Sequence, residues 1–383
     1  MKAGLVVTLV ALAAVAGRAP AAVDPTVSAA PTAPGAAHPG AYAEALAPKP
    51  LVFPRDQGPH PDFRQEWWYL TGNLESVSGE RFGFELTFFR FAIAPPGARP
   101  SAETSRWRTR QIYLAHFAIT DVARHRFRYT ARVSRGALGL AGARAEPFRV
   151  WLGNWQIAAD PAHRGAWIVR AARRGYVLRL IARPLLPPIA NGDHGLSRKS
   201  GEAGDATDYY SIPRVAVDGT LTRDGQRLPV RGLAWLDREW GSGGLGPQET
   251  GWEWFGLQLD DGSSLMFYSL RDRDGRQDPY SAGTWVEPGG RARSLTDANV
   301  RIESLRHWTD RQGVRYPSRW QVRVPRLGLV LTVKPVLANQ ELVTSPRYWE
   351  GAVNVAGTRA GEPVGGRGYV ELAGFASSQA PPR

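Results

Sequence analysis

The chain has 383 residues, of which 43% are hydrophobic, so it can bury a sizeable core and does not have the composition of a disordered protein. It contains no cysteine, which excludes disulfides, thiolate chemistry and lipid attachment to an N-terminal Cys. The formal net charge of +13 comes from basic residues scattered along the chain, without the basic stripe or motif typical of nucleic-acid-binding proteins. We therefore expect no nucleic-acid partner. The basic residues are interpreted as a solvated surface, with weak attraction to anionic membrane surfaces as the alternative.

Residues 1–21 have the pattern of a signal peptide. Lys2 precedes a 15-residue apolar stretch, residues 3–17, which is too short to span a bilayer comfortably but fits a signal-peptide core. Ala19 and Ala21 stand at the spacing of a cleavage site, so we expect cleavage after Ala21. Arg18 occupies the position at which a lipoprotein would carry its modified cysteine. The sequence thus predicts a soluble exported protein, periplasmic or extracellular, that is not a lipoprotein.

Strand patterns dominate the chain after its first 50 residues. Residues 22–50 are rich in Ala and Pro and are typical of a disordered linker. Beyond them, Phe84, Leu86 and Phe88 alternate with polar or small residues, which is the period-two pattern of a half-buried strand. Turn signals such as residues 260–262 separate stretches of this kind, and no long segment shows strong helical periodicity. The sequence predicts an all-β barrel or sandwich.

One long polar segment interrupts this rhythm. Residues 185–211 are rich in Gly and contain Asp193, His194, Lys199 and Asp208. Long loops in compact domains are often functional, so the segment is interpreted either as a lid over a barrel mouth or as a plain surface loop.

A weak internal repeat indicates two similar domains. Glu66-Trp67-Trp68 is followed by a turn and a second strand, and Glu253-Trp254-Phe255 is followed by a turn and a strand in the same way. Each unit could open one copy of the same β module. We expect an N-terminal domain over residues 51–235 and a C-terminal domain over residues 236–383.

Carboxylates beside tryptophans are the candidate chemical groups. The seven histidines are widely spread without metal-binding spacing, so we expect neither a metal nor another cofactor. The densest cluster of such groups is residues 235–241. In an extended strand Asp237 and Glu239 share one face with Trp235, whereas Arg238 and Trp240 share the other. The two carboxylates could raise each other's pKa and serve general acid–base chemistry; structural salt bridges are the alternative.

Several motifs together resemble the carotenoid 1,2-hydratase-like, AttH-type family. They extend from about residue 51 to about residue 375 and lie at residues 59–72, 236–241, 251–255, 348–351 and 368–371. The resemblance implies two tandem lipocalin-like antiparallel β-barrels and a hydrophobic ligand such as a carotenoid or a polyketide-type compound. It also places Arg238 and Trp240 at positions where the hydratases carry a His and a Trp. Tyr268 is the nearest match to a Tyr-x-Asp motif, but Leu270 replaces its Asp, so carotenoid hydration itself is not expected.

Two functions from different classes follow. The first is an exported protein that binds an elongated hydrophobic small molecule, an isoprenoid, lipid or polyketide-like compound, in an aromatic-lined barrel pocket. The alternative is a hydratase (lyase)-type enzyme, or a hydrolase, acting on an apolar substrate with buried carboxylates as general acid and base. The expected catalytic residues are Asp237, Glu239, Trp240 and Tyr268. The expected ligand-binding residues are Glu66, Trp68, Tyr210, Arg238, Trp252 and Trp254. The ligand's identity and the oligomeric state are not specified by the sequence.

Overall fold

The computed structural model describes residues 41–97, 108–246 and 248–376. The expected signal peptide and most of the expected linker, residues 22–40, lie outside the described residues. None of the helices in the described part of the chain has the length and hydropathy that a membrane-spanning helix needs.

The fold is all-β, as the alternating pattern predicts. Strands account for 61% of the described residues and helices for 3%, which is far below the helix content of an ordinary globular protein. The helices are three 3-10 turns: Arg55–Gln57, Asp297–Asn299 and Pro325–Leu327. The strands form two large, curled antiparallel sheets.

The first sheet is built from the N-terminal strands. In chain order they are β1 (Gln65–Ser76), β2 (Arg81–Ala92), β3 (Gln111–Asp121), β4 (Arg126–Arg135), β5 (Ala141–Arg144), β6 (Arg149–Leu152), β7 (Trp155–Ala159), β8 (Trp167–Arg173), β9 (Tyr176–Pro184), β10 (Ile189–Ala190), β11 (Leu196–Arg198), β12 (Ala206–Arg223) and β13 (Gln226–Gly241). Their order across the sheet is β4-β3-β2-β1-β13-β12-β9-β8-β7-β6-β5, and β10 and β11 pair with β12. The sheet curls until β6 approaches β3 and β4, so it is nearly closed.

The second sheet repeats this arrangement. Its strands are β14 (Glu249–Leu259), β15 (Ser264–Asp272), β16 (Ala282–Val286), β17 (Ala292–Thr296), β18 (Arg301–Thr309), β19 (Arg315–Val324), β20 (Leu329–Pro335), β21 (Glu341–Leu342), β22 (Tyr348–Arg359) and β23 (Glu362–Ala373). Their order is β17-β16-β15-β14-β23-β22-β20-β19-β18, and β21 pairs with β22. In both sheets the first strand lies between the second strand and the last. The Glu66 and Glu253 units occupy these equivalent first strands, β1 and β14.

The chain passes from the first sheet to the second between Gly241 and Glu249. The boundary expected at residue 235 falls inside β13, which pairs with β1 and β12 along its length up to Gly241. The first strand of the second sheet begins at Glu249. The long segment over residues 185–211 is partly ordered by β10 and β11, which lie against the start of β12.

Each sheet encloses its own apolar core. Trp68, Trp155 and Trp240 are fully buried inside the first sheet, and Trp285 and Trp320 are buried inside the second. A third cluster lies between the sheets and includes Tyr69, Tyr209, Trp235, Trp254 and Tyr268.

Polar side chains also join the two sheets. Gln258 Nε2 donates to the carbonyl oxygens of Pro213 at 2.7 Å and Ala234 at 2.9 Å. Asn73 Nδ2 donates to the carbonyl oxygen of Gly368 at 3.1 Å. Because these donors are buried and satisfied across the interface, they fix how one sheet lies on the other.

Candidate functional site

A cavity of about 430 Å³ lies between the two sheets. The first sheet contributes residues from β1, β2, β12 and β13, and the second contributes residues from β14, β15, β22 and β23. Its walls are largely aromatic; the aromatic side chains are Trp67, Tyr69, Phe89, Phe91, Tyr209, Trp252, Trp254, Tyr268 and Tyr348. The pocket was expected inside a barrel, but this cavity lies outside both sheet interiors, which are filled by the cores described above.

Alternation along β13 decides which candidate residues reach this cavity. Asp237 and Glu239 both line it, and Trp235 packs in the cluster between the sheets on the same face. Arg238 and Trp240 point to the opposite face, into the first sheet's interior. The division of faces predicted from the sequence is confirmed, and Asp237, Arg238, Glu239 and Trp240 are all buried.

Asp237 is held by three hydrogen-bond donors. Its Oδ1 accepts from Ser211 Oγ at 2.5 Å and from Trp235 Nε1 at 2.7 Å, and its Oδ2 accepts from Tyr209 Oη at 2.6 Å. Burial raises the pKa of Asp237 to about 7, against the effect of these donors. At neutral pH the carboxyl is thus divided between its protonated and ionised forms.

Glu239 belongs to a second polar group in the cavity wall. Its Oε1 accepts from Thr207 Oγ1 at 2.5 Å and forms a salt bridge with Lys199 Nζ at 2.9 Å. Burial opposes the charge on Lys199, but Glu239, Tyr268 and Asp237 together outweigh burial, and the pKa of Lys199 is raised. Lys199 also donates to Ser197 Oγ at 3.1 Å, and Ser197 Oγ lies 2.7 Å from Tyr268 Oη. Both Lys199 and Tyr268 line the cavity.

Glu371, on the last strand, adds a third carboxyl to the cavity wall. Burial, together with the nearby Glu85, raises the pKa of Glu371 to about 8. Asp237 and Glu239 are also close enough to raise it. Glu371 is half-buried and lines the cavity, so at neutral pH it presents a protonated carboxyl to any ligand there.

Further acids lie just behind the cavity wall. Tyr348 Oη donates to Glu85 Oε1 at 2.7 Å, and His116 Nδ1 lies 2.7 Å from the same tyrosine oxygen. Tyr69 Oη donates to Glu350 Oε1 at 2.7 Å. Burial raises the pKa of Glu85 to about 7, burial and the nearby Glu85 raise the pKa of Glu350 well above its ordinary value, and burial lowers the pKa of His116 to about 4. Burial therefore shifts these groups toward their neutral forms.

Five predicted site residues lie on the face of the first sheet that points away from the cavity. Glu66, Trp68, Tyr210, Arg238 and Trp240 are buried in the interior of the first sheet and do not line the cavity. Their predicted roles in ligand binding or catalysis were based on a barrel lumen open to a ligand. Because this lumen is packed, these side chains contact one another instead. The other predicted site residues, Asp237, Glu239, Trp252, Trp254 and Tyr268, are brought together around the cavity.

The side chains in the interior of the first sheet include an ion-pair network centred on Glu66. Arg90 Nε donates to Glu66, as does Arg238 Nη2 at 3.1 Å. The His60 ring and backbone also contact this carboxylate, and the Arg238 guanidinium lies 3.9 Å from the centroid of the Trp68 ring. Burial alone would raise the pKa of Glu66, but His60 and the two guanidinium groups lower it to about 2.

Lys199, Tyr348 and Glu371 are among the cavity residues that were not identified from the sequence as site residues. Lys199 is one of four lysines in an Arg-rich chain, which is the signal that could have marked it. Tyr348 and Glu371 belong to motifs that were quoted for the family resemblance, but neither was assigned a role. Within the described residues, no group of His, Asp or Glu side chains is arranged to hold a metal ion.

Comparison with known proteins gives related chains over most of the sequence. The family model described as AttH-like matches residues 44–375. The crystal structure of a protein assigned to AttH from Nitrosomonas europaea is 34% identical and covers 86% of this chain and 100% of that chain, with a TM-score of 0.74. The dehydratase asqC of Emericella nidulans is 24% identical over 266 residues, which are 67% of this chain and 75% of the relative.

A hydratase is also similar. Kievitone hydratase of Fusarium solani subsp. phaseoli is 22% identical over 173 residues, 43% of this chain and 49% of the relative. The crystal structure of kievitone hydratase from Nectria haematococca has a similar fold, with a TM-score of 0.65 and 16% identity over 89% of this chain and 99% of that chain. The match of the family model over nearly all the described residues agrees with the motifs noted in the sequence. The chain belongs to the AttH-like family.

Proposed function

We propose that this protein is a lyase that adds water to, or removes water from, an apolar substrate held between its two sheets. The observation that carries the proposal is an aromatic cavity into which Asp237 and Glu371 present carboxyls with pKa values raised to about 7 and about 8. Paired groups whose environments give them different pKa values are suited to opposite roles in proton transfer.

The two carboxyls divide the reaction between them. In the hydration direction Glu371, protonated at neutral pH, gives its proton to one alkene carbon, and positive charge develops on the other. Water adds to that carbon and loses a proton to the ionised form of Asp237. One C=C bond and one water become one C–H and one C–OH bond, and proton exchange with solvent restores both carboxyls. Dehydration is the same sequence in reverse.

The aromatic walls suit such a reaction. Trp67, Trp252 and Trp254 line the cavity, and the negative faces of such rings can stabilise a developing cation. They also provide the apolar surface that binds an elongated hydrophobic molecule. Asp237, fixed by donors from Tyr209, Ser211 and Trp235, is held at a defined place in the wall.

The relatives support an enzyme better than a protein that only binds. One is named a dehydratase and another a hydratase, so both names concern the transfer of water. Sequence analysis favoured ligand binding and kept the hydratase as the alternative. Binding of a hydrophobic ligand remains the first step of the proposed reaction.

Oxygen exchange tests the proposal. The probe is 2-(naphthalen-2-yl)propan-2-ol, whose dehydration and rehydration in H₂¹⁸O would replace its oxygen; any apolar molecule that co-purifies with the protein is assayed in the same way. Since a positioned general acid contributes about 10²–10⁴-fold, Glu371→Gln and Asp237→Asn should each lose about 100-fold or more of the wild-type exchange rate.

The matched control is Glu253→Gln, which alters a buried carboxyl in the second sheet's interior that does not line the cavity. It should exchange oxygen at the wild-type rate. Exchange that is equally fast in the wild type and in both cavity variants would contradict the proposed roles.

A further inference from the structure

Lys199, Ser197 and Tyr268 form a polar corner of the cavity, and this corner joins the two sheets. Ser197 lies on β11 and Lys199 just after it, whereas Tyr268 lies on β15 of the second sheet. Ser197 is fully buried and Tyr268 is 4% exposed. The Lys199 ammonium also lies 4.2 Å from the centroid of the Tyr268 ring. The corner is thus a built arrangement of buried groups.

The direction of the hydrogen bonds in this corner follows from the chemistry of the groups. An ammonium can only donate, so Ser197 Oγ accepts from Lys199. Among the described residues, Tyr268 Oη is the acceptor that the Ser197 hydroxyl proton reaches. Ser197 can therefore donate to Tyr268, and in that arrangement the Tyr268 proton is available to an acceptor in the cavity. Lys199 has three donors, of which Ser197 and Glu239 use two.

The charges of the corner indicate which kind of ligand group can bind there. The positive charge of Lys199 is already matched by Glu239 at 2.9 Å, and Asp237 also lies in the cavity wall. An anionic ligand group would add a negative charge beside these carboxyls without a free cation to balance it. An uncharged oxygen acceptor can instead take the Tyr268 hydroxyl and the third Lys199 donor without changing the net charge.

We infer that this corner binds an uncharged oxygen acceptor of the ligand, such as a carbonyl oxygen, so that the substrate is an apolar compound that carries such a group. The inference rests on the proposed function, because it takes the cavity as the place where the substrate binds. It adds a class of substrate to the proposed function. The aromatic walls hold the apolar body of the substrate, and the corner fixes the orientation of the substrate relative to Glu371 and Asp237.

Binding of two shape-matched probes tests the inference without any turnover. 2-Acetylnaphthalene carries a carbonyl oxygen, and 2-isopropylnaphthalene replaces it with a methyl group. Dissociation constants are measured by calorimetry for the wild type and for Tyr268→Phe, which keeps the ring and removes only the hydroxyl. The ratio of the two constants should change about tenfold toward the hydrocarbon in the variant, the effect of one lost hydrogen bond. 2-Naphthoate, an anionic third probe, should bind more weakly than the ketone.

Ser197→Ala breaks the chain from Lys199 to Tyr268 and should lower the same preference; it replaces Tyr268→Phe as the test if that variant does not fold. Tyr113→Phe is the control, because Tyr113 is buried in the first sheet's interior and does not line the cavity. An unchanged ratio in the folded corner variant, or tighter binding of naphthoate than of the ketone, would overturn the inference. Either result would leave the oxygen-exchange test of Glu371 and Asp237 unaffected, so the two failures are distinguishable.

Discussion

Replacing Glu66 with Gln should destabilise the protein far more than the same change at Glu253. The two residues occupy equivalent positions on β1 and β14, and both are buried. Glu66 faces two buried guanidinium groups, those of Arg90 and Arg238, whereas Glu253 accepts a neutral donor, Trp320 Nε1, at 2.8 Å. The pair of variants therefore compares loss of a carboxylate that pairs with two guanidinium groups with loss of a carboxyl that accepts from a neutral donor.

The magnitude follows from the pKa values. The pKa of Glu66 falls from 4.5 to about 2 in the fold, and about 1.4 kcal/mol per pKa unit gives roughly 3 kcal/mol of stabilisation of the ionised form. Leaving buried guanidinium groups without a partner costs about 3–5 kcal/mol, which agrees with the stabilisation obtained from the pKa of Glu66. Burial raises the pKa of Glu253, so its neutral amide counterpart should cost only about 1 kcal/mol.

Urea unfolding at pH 7, followed by tryptophan fluorescence, measures both variants against the wild type. Because the folded-state pKa of Glu66 is depressed, its contribution is present above about pH 4.5 and is lost as the pH falls toward 2. The wild type and Glu66→Gln should therefore converge in stability across that window. Equal losses in the two variants, or a Glu66→Gln protein as stable as the wild type, would refute this reasoning.

Three other predictions concern the cavity, the sheet interface and export. The oxygen-exchange rate should fall as the pH rises through about 8, where Glu371 loses its proton. The Glu371→Gln variant should lack this fall in rate. If the variant keeps it, the fall is caused by a group other than Glu371. Gly83→Ala should cost about 1–3 kcal/mol in urea unfolding, because its Cβ would lie 2.6 Å from Tyr369 Oη across the interface. Gly289→Ala, which meets no atom within 4 Å, is its control, and equal stability of the two variants would contradict the steric argument. Under the proposal of export, N-terminal sequencing of the exported fraction should begin near Ala22, and recovery of Met1 there would contradict it.

Local patterns were enough to predict the fold class and the faces of β13. Alternation places Asp237 and Glu239 on one face and Arg238 on the other whatever surrounds the strand, since successive side chains point to opposite sides. A buried charge needs a partner, and because Asp237 and Glu239 point away from Arg238, the partner comes from another strand: Glu66 on β1.

The local pattern could not identify which face meets a ligand. Alternation distinguishes two faces but does not say that one is packed against Trp68 and Trp240 while the other is covered by a second sheet. That depends on how two distant parts of the chain pack together. The same limit explains why Glu371 was missed: tertiary packing buries it and brings Glu85 and Asp237 close to it, and its raised pKa follows first from this burial and then from these neighbours.

The proposed reaction requires that Glu371 present a protonated carboxyl to the cavity at neutral pH. Infrared difference spectroscopy between the wild type and Glu371→Gln isolates the carbonyl stretch of this group among the other buried acids. The stretch of the protonated form should be present at pH 7 and should titrate away with a midpoint near pH 8. A Glu371 that is fully ionised at pH 7 would contradict the assignment of this residue as the proton donor.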